Sequence, residues 1–254
     1  MNRAHFLAVL FVGGAAPAAP LDGPHALQPH EALQQLYGGE IWNDPRLSDY
    51  FNKSQVTGSA RTRAYIEVAY ETGFTEGGQE KVMVIARLTP EPPQEFTCHA
   101  CAPLLGGAVF VRTGDAWKIE SRTQILGFGN SGGTHFNLDL LGPQRHAVLV
   151  RLDDTHQGYE QQRINVIMAL EGALVPVLSV GFDESPGADA CAGGKPQSVH
   201  LEFKPGSDST YFDALATIEK NDGDCGHLVP KLVHEHYRFQ NGKYSLVPRA
   251  PTTP

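Results

Sequence analysis

Residues 234–247 read HEHYRFQNGKYSLV, two short runs joined by Asn241-Gly242. A tight type I′ turn needs positive φ at both central residues, and Asn-Gly is the pair that tolerates this most readily. The segment therefore predicts a β-hairpin. Working back along the chain, the same pattern recurs five times. VHLEF and the run Tyr211 to Ile218 flank Gly206, and INVIMAL (Ile164 to Leu170) and Leu174 to Val180 flank Gly172. Leu138 to Leu141 and Ala147 to Leu152 flank Gly142-Pro143, and AVFVR and WKIES flank Gly114-Asp115. Finally AYIEVAY (Ala64 to Tyr70) and KVMVIARL (Lys81 to Leu88) flank Gly77-Gly78. Sequential hairpins at near-even spacing predict a mainly β, antiparallel meander, either a propeller-like ring or a large sandwich or barrel. Nothing with a helical period longer than about ten residues separates the strands, which argues against a helical or parallel α/β protein.

The first sixty residues differ. HEALQQLY (His30 to Tyr37) follows Pro29 and precedes Gly38-Gly39, the punctuation of a short helix. IWNDPRLSDYF (residues 41–51) reads as a short second helix. Residues 19–61 are expected to form an N-terminal arm packed on a single β domain spanning 62–248, with 249–254 a disordered tail. Tyr37, Trp42, Tyr50 and Phe51 give the arm an aromatic patch that either plugs it onto the β domain or stacks against a glycan or partner.

The opening residues set the expected compartment. Arg3, the apolar run FLAVLFV (Phe6 to Val12) and small residues ending in Ala16-Pro17-Ala18 are the parts of a secretory signal peptide, here residues 1–18. Cleavage after Ala18 avoids leaving Pro20 directly behind the scissile bond. The apolar run is far short of the roughly 20 residues a membrane span needs, and no longer one follows. The protein is thus expected to be periplasmic or secreted. Its 28 acidic against 20 basic residues, without a basic stripe, exclude the electrostatic footprint of a nucleic-acid binder.

In an exported chain, four cysteines read first as two disulfides. Cys98, Cys101, Cys191 and Cys225 allow three connectivities, of which Cys98–Cys101 with Cys191–Cys225 is preferred. The longer loop would contribute roughly 3–4 kcal/mol. A redox CxxC would require a helix N-terminus. Here Pro90, Pro92 and Pro93 precede the motif, and Pro103, Gly106 and Gly107 follow it.

The stretch CHACAPLLGGAVFVRTGDAWKIES, the glycine-rich GFGNSGG, the tetrapeptide HQGY and the C-terminal YRFQNGKY resemble a group of uncharacterised exported bacterial proteins. The likeness covers roughly residues 60 to 247. It implies a bacterial envelope origin and carries no activity with it.

Several clusters could bear chemistry. Alternation puts His234 and His236 on one face of their strand and Glu235 on the other. With His200 on VHLEF as third ligand, zinc or copper could be held, whereas the ordinary role is an exposed strand face. Asp153, Asp154 and His156 crowd four residues of a predicted loop, and could do acid–base work, bind a cation, or form a polar tip. Asn221-Asp222-Gly223-Asp224 resembles half of a calcium loop but lacks its downstream glutamate. Zinc at Cys98, His99 and Cys101, or at Cys225 and His227, would lack a second CxxC. Gly129 to Gly133 (GNSGG) matches a nucleophile-elbow pattern around Ser131 and resembles the GDSGG of trypsin-like proteases, but no helix can follow it. No cofactor is expected. The sequence reads as an exported, non-enzymatic binding or inhibitor-type module for an envelope protein, glycan or small ligand. The alternative is a metal-dependent or acid–base hydrolase of an envelope substrate.

Overall fold

The computed structural model describes residues 26–47, 51, 63–91, 102–129, 134–156, 159–186, 197–206, 210–223 and 227–248. Among the described residues the helix α1 (Pro29–Tyr37) precedes thirteen strands. The first sheet holds β1 (Ile41–Trp42), β2 (Ala64–Glu76), β3 (Gln79–Pro90), β4 (Leu104–Thr113) and β5 (Ala116–Phe128), in that spatial order. A second contains β6 (Thr134–Gly142), β7 (Arg145–His156), β8 (Tyr159–Leu170) and β9 (Ala173–Pro186). The third is β10 (Ser198–Lys204), β11 (Asp213–Asp222), β12 (Val229–Gln240) and β13 (Lys243–Leu246). Every pairing is antiparallel. The meander read from the sequence is what forms, with each pair of successive hairpins fused into one sheet. The Asn241-Gly242 turn closes as expected, with φ of 52° and 80°.

Three apolar clusters show how the sheets stack. Leu33, Leu36 and Tyr37 of α1 pack with Ile66, Val84, Leu88 and Phe110 on one face of the first sheet. On its other face Met83, Ile85 and Val109 meet Val148, Val150 and Ile167 of the second sheet. Ala147, Ile164 and Val166, on the second sheet's far face, meet Val199, Leu201 and Ile218 of the third. The order is therefore helix, first sheet, second sheet, third sheet: a sandwich extended to three layers. Among the described residues no sheet closes into a barrel. Because the second sheet is covered on both faces, its inner strands carry near-continuous apolar runs where the layers overlap, AVLV in β7 and VIMAL in β8.

The arm differs in one respect from its sequence reading. Ile41 and Trp42 pair with Tyr65 and Ala64 as a two-residue strand, not as part of a second helix. A β-branched residue followed by an aromatic favours the pleated edge that β2 offers. Beyond it, Phe51 N–H donates to the Leu47 carbonyl at 2.7 Å. Tyr37, Trp42 and Phe51 are all buried, with the Tyr37 and Trp42 rings edge to face at 5.1 Å. The Tyr37 hydroxyl donates to the Gln124 carbonyl at 2.8 Å. Directly beneath lies Gly106, where a Cβ would stand 2.0 Å from that hydroxyl and 2.2 Å from the same carbonyl. The glycine pair in LLGGAVF thus records a close approach between arm and sheet.

Candidate functional site

Lys81 opens β3 on the face shared with Met83 and Ile85, the interface between first and second sheets. It is 6% exposed, and an ammonium so buried requires partners. Two carboxylates supply them. Lys81 Nζ lies 2.9 Å from both oxygens of Glu120 on β5 and 3.5 Å from Glu76 Oε1 at the end of β2. The second sheet completes the cluster through the start of β7. The His146 backbone N–H donates to Glu76 Oε2 at 3.1 Å, and its Nδ1 lies 3.4 Å from the same oxygen. Arg145 Nη1 stands 3.5 Å from Glu76 Oε1, and the His146 ring tilts against Phe74 at 4.7 Å.

Glu76 is the hub. Burial alone pushes its carboxyl up, but hydrogen bonds from the His146 side chain and backbone, with the Lys81 and Arg145 charges, outweigh this and hold it below its ordinary value. It is therefore an anchored carboxylate, not a proton donor poised near neutrality.

Outside this cluster a groove of about 450 Å³ opens to solvent. Its walls come from all three sheets: Glu76, Gly77, Gln79 and Lys81 from the β2–β3 hairpin, Pro143, Gln144 and Arg145 from the β6–β7 turn, and Thr210 ahead of β11. Close packing fixes the walls. A Cβ on Gly142 would lie 2.0 Å from the Thr210 carbonyl oxygen, and Phe212 N–H donates to the Leu141 carbonyl at 2.6 Å.

The residues singled out in the sequence lie elsewhere. His234 and His236 do share one face of β12, but His200 does not join them. Thr217 of β11 pairs with His200 on one side and His234 on the other, so one strand stands between the imidazoles. His234 Nδ1 faces Thr217 Oγ1 at 3.2 Å, and His236 Nε2 lies 2.7 Å from Asp213 Oδ2. Among the described residues no group of three or more His, Cys, Asp or Glu is placed to hold a metal ion.

Asp153, Asp154 and His156 are not in a loop. They extend β7, paired with Gln162, Gln161 and Tyr159, because β7 runs as far as His156 and β8 begins at Tyr159. Asp153 Oδ1 is buried with no hydrogen-bond partner among the described residues, and the side chains of Asp154 and His156 lie outside them. Asn221 and Asp222 close β11. The Asn221 backbone N–H donates to Gln197 Oε1, its side chain bonds the Pro186 carbonyl, and Asp222 pairs with Lys231 at 3.0 Å. The Asn221–Pro186 bond ties the third sheet to the second, while the Asp222–Lys231 pair lies within the third. Cys98, Cys101, Cys191, Cys225, Ser131, Asp224, Tyr50, the proposed leader and the proposed tail lie outside the described residues.

Sequence reasoning missed Glu76, Lys81, Glu120, Arg145 and His146. One signal was available: Lys81 heads the apolar strand KVMVIARL on its inward phase, so it demanded a buried carboxylate. Which carboxylate, and that β7 would bring Arg145 and His146 to it, depended on how the sheets stack. No family model, curated protein or solved structure matches the chain.

Proposed function

We propose that this protein is an exported, non-enzymatic binding module of the bacterial envelope, and that its ligand occupies the groove between the β2–β3 and β6–β7 turns. The observation that carries the reading is the groove itself. Its volume falls within the ~300–1,000 Å³ typical of small-ligand sites, and it draws its walls from three sheets. Its charged groups are already paired, so they are pre-positioned to hold a ligand rather than to exchange protons with one. Glu76, kept ionised by its neighbours, fits binding better than general acid catalysis. Export and two disulfides complete the proposal. They rest on the leader-like N-terminus and the even cysteine count.

Thermal denaturation of the mature protein against fractionated envelope extract tests the binding claim. A ligand that binds only the native state raises the melting temperature by mass action. The stabilising fraction is expected to lose its effect on Arg145→Ala but not on His234→Ala, and to be recovered chemically unchanged. Turnover of that compound would replace the binding reading with the hydrolase one. Intact-mass measurement of the native protein is expected to find residues 1–18 removed and no free thiols.

A further inference from the structure

Resting on the groove as a binding site, we infer that its ligand is a neutral carbohydrate, a sugar unit carrying several hydroxyls and no ionised group. The first argument is charge. Glu76 and Glu120 carry two negative charges and Lys81 and Arg145 two positive ones, all within one cluster of contacts. Glu120 does not line the groove but sits behind it against Lys81, so the cluster as a whole is neutral, and an anion drawn to Arg145 would meet the Glu76 carboxylate 3.5 Å behind it. A cation would meet Arg145 and Lys81. Neither sign gains by entering.

The second argument is hydrogen-bond chemistry. Gln79 and Gln144 are exposed at the rim, and each amide offers a donor and an acceptor. Thr210 adds a hydroxyl and Arg145, 45% exposed, adds donors beside an acceptor carboxylate. Donors alternating with acceptors match a hydroxyl, which gives one hydrogen bond while taking another. A lipid or an aromatic ligand would cover the Gln79 and Gln144 amides without hydrogen-bonding them, at a cost of about 1–3 kcal/mol each.

The third is shape and stiffness. Pro143 and the methylene stems of Gln79 and Gln144 are among the groove's lining and offer apolar surface, to which the C–H face of a sugar ring is suited. The walls are held by backbone contacts at Gly142 and Phe212, so little order must be gained on binding.

The test is calorimetric titration of the full mature protein with three probe sets: neutral di- to tetrasaccharides of hexose and N-acetylhexosamine, the same sugars bearing a uronic acid, and blocked tetrapeptides. A neutral saccharide is expected to bind. Gln144→Ala and Arg145→Ala are each expected to weaken it about ten-fold with unchanged circular dichroism, the melting temperature staying put for Gln144→Ala and falling slightly for Arg145→Ala, which loses its contact with Glu76. Preferential binding of the uronic-acid sugars or of a peptide, with the same dependence on Arg145, would overturn the neutral-carbohydrate inference and leave the binding site standing. Saccharide binding unmoved by both variants would overturn it too. If no probe binds and the envelope fractions also leave the melting temperature unchanged, the inference and the binding site fall together.

Discussion

Lys81 and Glu120 meet in a two-point contact, both carboxylate oxygens 2.9 Å from the ammonium, although 81 and 120 sit on β3 and β5 with β4 between them. The lysine is nearly enclosed while Glu120 is about one-third exposed (35%).

Lys81→Ala strands the half-buried Glu76 with its nearest buried cation gone. A loss of about 3 kcal/mol is expected, as for a broken buried pair. Glu120→Gln removes the counter-ion 2.9 Å from the enclosed ammonium and leaves it only Glu76 at 3.5 Å, so a cost of about 3–5 kcal/mol is expected. Urea denaturation of both variants measures the two losses. A loss below about 1 kcal/mol for Glu120→Gln, as for an exposed pair, would mean that the ammonium is less enclosed than its 6% exposure indicates.

The Glu76 carboxyl is held below its ordinary value of 4.5, so its ionised form stabilises the fold. That contribution is fully present above the unfolded-state value and disappears as pH falls through the lower folded value. Melting temperatures of wild type and Glu76→Gln are therefore expected to differ most near neutrality and to converge in acid. A gap that widened on acidification would reverse the sign assigned here.

Gly106→Ala forces a methyl group against the Tyr37 hydroxyl and the Gln124 carbonyl. Overpacking of this kind costs about 1–3 kcal/mol or more, and it should loosen the arm from the first sheet. Tyr37→Phe in the same chain removes one obstruction but leaves the carbonyl, so partial recovery is expected. Limited proteolysis of the arm and chemical denaturation together report it.

The two histidines of HEH should behave differently. His234 is exposed, and His234→Ala is expected to change stability by less than about 0.5 kcal/mol. His236→Ala deprives the buried Asp213 of its 2.7 Å contact, leaving Arg238 at 3.5 Å, and is expected to cost about 1–2 kcal/mol. Addition of a chelator should leave both melting temperatures unchanged. A chelator-sensitive wild type would revive metal binding on the third sheet.

Local pattern made the strands legible, because turn chemistry and alternation act over a few residues. Asn241-Gly242, Gly77-Gly78 and INVIMAL each announced what they became. Ile41-Trp42 misled because nothing nearby discloses that β2 will offer it an edge. Asp153, Asp154 and His156 misled because strand length depends on the partner strand, and β8 runs far enough to pair with all three.

The sequence by itself determined the antiparallel hairpins and the short helix, since each follows from propensity, period or turn chemistry within one segment. Tertiary structure alone decided that Glu76, Lys81 and Glu120 would face Arg145 and His146, and that Thr210 would close a groove beside them. Sheet stacking brings together residues up to 134 positions apart, Glu76 and Thr210 among them. No local rule specifies which apolar faces will meet, because burying any of them releases similar free energy per unit area.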